Sequence, residues 1–190
     1  MYGVTIKFLN FFSIFFITLS LMSVLSAQTK IDGILSVGDT SPTFFLRDIN
    51  GEDFFLSDYV GEPRNPFTKQ SKKKVVILSF FATWCKPCIK ELPELQSISG
   101  NYSNDTLLTV LIDVNEKRDE VNKFLESLDI NLLVVLDRYG KVSQGYNIIS
   151  LPTLLILDNE GIIRFMSREF KGVKEFRNIL NAEITKVLNL

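Results

Sequence analysis

The chain has no histidine, and its 190 residues include only two cysteines, three methionines and one tryptophan. Each shortage removes a class of chemistry. A zinc site built from Cys and His ligands has too few members. A thiol chaperone for Cu(I) would hold its soft ion with two sulfurs and little else. The only thioethers are Met1, Met22 and Met166. With no third or fourth cysteine, neither thiol has a structural disulfide partner elsewhere in the chain. Charge of neither sign dominates, with 21 Lys and Arg against 22 Asp and Glu, so no bulk basic surface invites nucleic acid. Neither a metal nor a cofactor is expected.

What is present is concentrated in one place. Both cysteines fall in Trp84-Cys85-Lys86-Pro87-Cys88. The run Val75–Phe81 ahead of them is β-branched and aromatic, and it reads as a buried strand. From Lys86 onward Ile89, Leu92, Leu95 and Ile98 recur every three residues, an apolar helical stripe. The pair therefore sits where a strand becomes a helix. Cys85 falls at the first turn, where unpaired N–H groups and the positive end of the helix dipole favour a thiolate. Lys86 adds a cation beside it. Both effects lower the thiol pKa and make Cys85 the expected nucleophile. Cys88, one turn on, is placed to close a disulfide and release a bound partner. Pro87 suits an early helical position, where a missing N–H costs nothing. A lone buried cysteine is often only a small hydrophobe. Two at this spacing and junction point to reversible dithiol–disulfide chemistry.

Phe80-Phe81-Ala82-Thr83-Trp84-Cys85-Lys86-Pro87-Cys88-Ile89-Lys90-Glu91-Leu92-Pro93 resembles the active-site segment of the thioredoxin superfamily. More narrowly it resembles the TlpA/ResA-like exported thiol–disulfide oxidoreductases, which carry Trp-Cys-x-Pro-Cys followed by a glutamate and a proline, here Glu91 and Pro93. The resemblance spans about residues 36–185. It implies an α/β fold: a thioredoxin-like mixed central sheet flanked by helices, with an N-terminal β-hairpin addition. Pro93 is expected to kink the helix. Composition alone makes Glu91 a solvated helix residue; the resemblance implies a carboxylate that relays protons for the thiols. Ser79 stands where cytosolic thioredoxins carry a buried aspartate, and a serine does not titrate near neutral pH. Glu91 is then the candidate carrier. Phe81 stands where many relatives have tryptophan.

Pro152, within Ile149-Ser150-Leu151-Pro152-Thr153, reads from the residues as an ordinary trans turn proline. The resemblance implies a cis bond opposite the cysteine pair, with the Leu151 backbone turned to meet an extended substrate segment. Trp84 is either a shield for the thiols that meets substrate or a plain core aromatic. The resemblance further implies the reductase direction, disulfide-bearing protein substrates with apocytochrome c as one class, and recharging by a membrane thiol donor. A monomer is expected. Two alternatives stand beside this reading. One is the Cu(I)-binding thiol chaperone. The other is a peroxiredoxin-like thiol peroxidase, whose pattern asks for Thr three residues before the reactive Cys, where this chain has Ala82.

Residues 1–27 read as a secretory signal: Lys7, then an apolar stretch to Leu25, then Ser26-Ala27. The stretch is also long enough for an uncleaved membrane anchor. Either way the rest of the chain is expected in the periplasm or otherwise outside the cytoplasm. Residues 28–43 read as a linker and 44–190 as the domain. Phe44–Leu46 and Phe54–Leu56 flank Asn50-Gly51 as a hairpin. Leu107–Asp113 and Leu132–Leu136 are core strands around an amphipathic helix at Val121–Leu128. Leu154–Leu157 and Ile162–Met166 form a second hairpin, and a closing helix begins near Val173. Residues 61–74 read as a Lys-rich solvated loop, or as a docking patch for an acidic partner, with Glu62 the only acid among them. A fusion of residues 1–40 to a reporter that works only outside the cytoplasm should be active; a silent cytosolic fusion would remove the export expectation.

Overall fold

Val75–Phe81 (β3) is the strand around which the other elements are built, because all seven of its residues are buried. A strand covered on both faces reads as a continuous apolar run. Alternation sends Val75, Ile77 and Phe81 into one core and Val76, Leu78 and Phe80 into a second core on the opposite face. The computed structural model describes residues 34–62 and 73–190. The expected leader, residues 28–33 of the expected linker and residues 63–72 of the Lys-rich loop lie outside the described residues.

The elements follow in chain order. Phe45–Asp48 (β1) and Asp53–Phe55 (β2) form the expected hairpin, and a 3-10 turn covers Leu56–Asp58. After β3 come Lys86–Ser99 (α1), Leu107–Val114 (β4), Arg118–Ser127 (α2) and Leu133–Asp137 (β5). Lys141–Gly145 (α3), Thr153–Leu157 (β6), Ile163–Ser167 (β7) and Val173–Leu188 (α4) complete the chain. Among the described residues the sheet has seven strands in the order β2-β1-β5-β4-β3-β6-β7. β3, β4 and β5 are parallel neighbours, as strand–helix–strand connections require. β6 runs antiparallel to β3 and β7 antiparallel to β6. The result is the expected mixed sheet flanked by helices. The hairpin joins its edge through β1, which pairs antiparallel with β5 at Arg47↔Leu136 and Asp48↔Val135.

The two faces are covered differently. α1, α2 and α4 all send side chains into the core that holds the cysteines: Leu92 and Leu95, Val121 and Leu125, Leu180 and Ile184. The opposite core takes Phe54, Leu56, Val142 and Tyr146, from the hairpin, the 3-10 turn, α3 and the residue after it. α1 continues across Pro93, which lies on its exposed side. No single strong signal marks α3 in the sequence, since five residues are too few to show a period. A carboxylate from the preceding strand caps it instead. Asp137 accepts N–H bonds from Val142 (3.2 Å) and Ser143 (2.7 Å) and a hydroxyl bond from Ser143 (2.7 Å).

Two expectations need correction. The domain begins before residue 44, with the compact unit running from Leu35 to Leu190. Gly38 N–H donates to Ile163 O and Ser41 N–H to Gly161 O, both at 2.8 Å, and Thr40 forms a bridge with Ile162. The cause is an unfilled strand edge: β7 has β6 on one side only, and the entering chain pairs with its start. The Lys-rich stretch is not all solvated either. Lys73 pairs with Glu160 at 2.9 Å. Lys74 is buried, donates to the Asn104 carbonyl and lies over the Tyr59 ring.

Tyr146 anchors the entering segment. Its buried hydroxyl donates to Pro42 O at 2.7 Å and lies 2.7 Å from the Ser41 hydroxyl. Tyr146→Phe should lower the stability of the chain by about 1–2 kcal/mol, because it strands buried polar partners. The urea midpoint should fall with an unchanged denaturant slope; an unchanged midpoint would mean that the segment is held by its backbone bonds alone.

Candidate active site

β3 ends at Phe81, and α1 begins five residues later at Lys86, with Cys85 as its N-cap. The N-cap position leaves a backbone donor to be satisfied, and here a sulfur does it. The Cys88 N–H donates to Cys85 Sγ at 3.3 Å. Cys85 and Cys88 are joined as a disulfide. Cys85 is 4% exposed and Cys88 0%, so what little of the pair is open to an incoming sulfur belongs to Cys85. Lys86 and Pro87 point outward beside it.

Glu91 follows Cys88 by one helical turn and is only 2% exposed. It occupies a core position of α1, within the buried set Cys88, Glu91, Leu92, Leu95 and Ile98. The reading of Glu91 as a solvated residue is thereby removed. The side chain that meets it is Ser79, whose hydroxyl donates to Glu91 Oε1 at 3.1 Å. Burial pushes the carboxyl up from 4.5 to about 7, and the Ser79 hydrogen bond pulls weakly the other way. The serine that stands in place of an aspartate thus faces the glutamate one strand–helix step away. Two acids at this spot would repel; an acid and a hydroxyl pair.

Trp84 is 69% exposed, so it is no core aromatic. The Leu151–Pro152 bond is cis. Register places it: Phe80 pairs with Thr153, which sets Pro152 beside the end of β3, at the edge from which the Cys85 turn departs. Leu151 is half-buried and packs against the core that contains both cysteines. The preceding Ile149 is exposed. Cys85, Cys88 and Glu91 are therefore brought together by α1, and Leu151 and Pro152 reach the same edge of the sheet through β6.

Two residues at this edge, Glu116 and Asp113, were not singled out by the sequence. Glu116 accepts bonds from Thr83 N–H (2.6 Å) and Thr83 Oγ–H (2.5 Å), inside the turn before Cys85. Asp113, next to Phe81 in the sheet, is buried and accepts the Glu116 N–H at 3.2 Å. An aspartate closing an otherwise apolar strand was the available signal for Asp113. Nothing local marks Glu116, which reads as one more charge in an acidic and basic run.

Residues 37–166 match the AhpC/TSA family. The chain belongs to that family. Among curated relatives, it is 33% identical over 130 residues to the thiol-disulfide oxidoreductase ResA of Geobacillus kaustophilus (strain HTA426), covering 68% of each chain. It is also 33% identical over 127 residues to ResA of Bacillus subtilis (strain 168), covering 67% of this chain and 64% of that one. A crystal structure assigned to the thiol:disulfide interchange protein DsbE of Chlorobium tepidum superposes with a TM-score of 0.69 at 25% identity, over 81% of this chain and 99% of that one. StoA of Bacillus subtilis, at 24% identity and a TM-score of 0.57, shares the fold. The motif and the relatives agree: this is a thioredoxin-like thiol–disulfide oxidoreductase.

The buried carboxyl gives a test with a definite sign. Because Glu91 titrates higher in the folded chain than in the unfolded one, its contribution is fully present below pH 4.5, declines above that and is lost by about pH 7. Glu91→Gln keeps a neutral side chain at every pH. Its stability relative to the parent should therefore improve by on the order of 3 kcal/mol between acid and pH 8. Urea unfolding of the oxidised protein at the two pH values measures this, and a constant difference would place Glu91 in water.

Proposed function

We propose that the protein is an exported reductase of protein disulfides, with Cys85 as the attacking thiol, Cys88 as the resolving thiol and Glu91 as the internal proton carrier. The observation that carries this is the buried row Cys85, Cys88, Glu91 on the first two turns of α1, most open at Cys85.

The steps balance as a two-electron exchange. The Cys85 thiolate attacks one sulfur of a substrate disulfide, a mixed disulfide forms, and the other substrate sulfur leaves as a thiolate. Cys88 loses its proton to Glu91, a carboxyl about 7 in the fold and therefore able to hold or release a proton near neutral pH. The Cys88 thiolate then attacks the Cys85 sulfur. The substrate departs with both thiols and the enzyme keeps the disulfide. The Cys88 N–H beside Cys85 Sγ stabilises the attacking thiolate.

Burial supports the reductase direction. Both sulfurs lie in an apolar core, and desolvation disfavours a thiolate relative to a neutral disulfide. A pair whose oxidised form is favoured gives its electrons away readily. It must then be recharged by a thiol donor, which the notion of export places at the membrane. Leu151 and Pro152 offer backbone beside the pair for an extended substrate segment, and exposed Trp84 supplies an apolar contact. The resemblance of the motif is the ground for taking disulfide-bearing apoproteins such as apocytochrome c as the substrate class, and the relatives named ResA support thiol–disulfide exchange itself. Residues 1–27 would act as the export signal or anchor; among the described residues no helix is long and apolar enough to cross a membrane. We take the working form as a monomer.

Cys88→Ser should accumulate mixed disulfides with substrate proteins, and Cys85→Ser should not. Equilibration of the parent against glutathione should leave the pair oxidised where the glutathione pool is still largely reduced. Equal trapping by both variants would overturn the order of attack, and a pair as oxidising as the strongest dithiol oxidants, about −120 mV, would overturn the direction.

A further inference from the structure

Thr83 lies two residues before Cys85 in the turn from β3 to α1. One carboxylate straps it twice, at its N–H and at its hydroxyl, through the two oxygens of Glu116. Glu116 is itself held from two strands. Its own N–H donates to Asp113 Oδ1 at 3.2 Å, and the Asn115 N–H before it donates to Asp137 O at 3.2 Å. Gly140 closes the turn from the β5 side at φ 64°, where a Cβ would come within 2.8 Å of Asn115 Oδ1. The loop that presents Glu116 is thus braced, and its carboxylate has a defined target.

Asp113 is the unusual member. It is fully buried, and its Oδ2 has no hydrogen-bond partner among the described residues. Its sheet neighbours are Phe81 on β3 and Leu136 on β5, both apolar. The charged groups that act on it are Glu116, from the turn after β4, and Asp137, from β5; both are acids, and no cation is among them.

We infer that Glu116 is a positioning residue for the dithiol, fixing the Thr83 turn that carries Cys85, and that Asp113 governs whether Glu116 can hold that place. Burial first, then the adjacent Glu116, raise the Asp113 carboxyl from 3.8 to about 8, with a smaller push from Asp137. While Asp113 is protonated it is neutral, and the Glu116 carboxylate stays on Thr83. When Asp113 loses its proton, two like charges share a site without a counter-ion. Asp113 cannot move out of the sheet, whereas Glu116 is half-buried on a surface turn and can. Its departure frees Thr83 and loosens the cap that aims the Cys88 N–H at Cys85. The inference rests on Cys85 being the attacking thiol.

The test is the pH dependence of the reduced full-length protein reacting with a small aromatic disulfide whose thiolate is coloured. Cys85 releases one coloured thiolate on attack, and Cys88 releases the second as the pair closes. In the parent the rate should climb as Cys85 ionises and then bend downward above about pH 8 as Asp113 ionises. Asp113→Asn, close in shape and always neutral, should keep climbing through that range. Glu116→Gln, which turns an N–H toward one of the Thr83 donors, should be slower than the parent by about tenfold below pH 8, since a small displacement of a reacting group is costly, and the gap should narrow above it as Glu116 leaves Thr83 in the parent. Near-ultraviolet circular dichroism establishes that each variant is folded. A parent profile with no downturn, a downturn retained in Asp113→Asn, or a folded Glu116→Gln with the parent's rate below pH 8 would each overturn the proposal. Cys85→Ser should be inert. If it reacts like the parent, the reading of Cys85 fails; if it is inert while Glu116→Gln is normal, only the positioning role fails.

Discussion

One unsatisfied helix terminus sets the chemistry of this molecule. α1 must begin as soon as β3 ends, and its first N–H groups have no intrahelical acceptors. Placing Cys85 at the cap lets a sulfur take the Cys88 N–H, which couples the start of the helix to the reactivity of the pair. Everything beneath this cap serves to hold it still. β3 is buried on both faces, α1 is anchored by Leu92, Leu95 and Ile98, and Glu94 reaches across to Arg177 of α4. A dithiol on a loose loop would lose the alignment that a helix terminus confers.

The same burial creates the molecule's electrostatic problem, and three buried acids show three outcomes. Asp137 receives three hydrogen bonds from α3, so it is satisfied in full and works as a structural cap. Glu91 has one hydroxyl partner and sits among apolar groups, so its carboxyl rises to about 7, where it exchanges protons at ordinary pH. Asp113 has one backbone donor, one orphaned oxygen and an acidic neighbour, and it rises to about 8. Glu91 and Asp113 find one donor each, and the acidic neighbours of Asp113 account for its higher value. Fewer donors in a dry site mean that the neutral form carries more of the folded population.

How much of this was legible in the sequence depends on the range of the interaction. β3 and α1 are written in local pattern, a run of seven apolar residues followed by an apolar stripe of period three to four. The hairpins at Gly51 and Gly161 are written in turn chemistry, with φ of 92° and 78° that glycine adopts freely. Glu91 could have been placed by the same periodicity. Counting from Cys88, it falls at i+3, ahead of Leu92 at i+4 and Leu95 at i+7, so its helical face was apolar throughout. The Glu116–Thr83 strap joins residues 33 apart, and the bridge of Thr40 to Ile162 joins residues from opposite ends of the domain. Neither has a local signature, because each depends on which strand edges the completed sheet leaves open. The short helix α3 was hidden for a different reason: its stability comes from Asp137 on the preceding strand rather than from its own five residues.

The strap also bears on why a chain of the AhpC/TSA family works by thiol exchange. A thiol peroxidase of the peroxiredoxin pattern needs a threonine hydroxyl beside its reactive sulfur. The corresponding position here is Ala82, whose carbonyl accepts the Cys85 N–H at 3.1 Å and whose side chain is buried. The turn does contain a threonine, one residue later. Its hydroxyl has a single proton, and that proton is committed to Glu116 at 2.5 Å. The hydroxyl that would orient a peroxide is thus replaced by a methyl group, and the neighbouring hydroxyl is engaged in holding the turn. A second sulfur stands one helical turn away, already bonded to the first. In this site the group nearest to an electron-poor sulfur on Cys85 is Cys88, and the reaction that the turn favours is the closing of a disulfide.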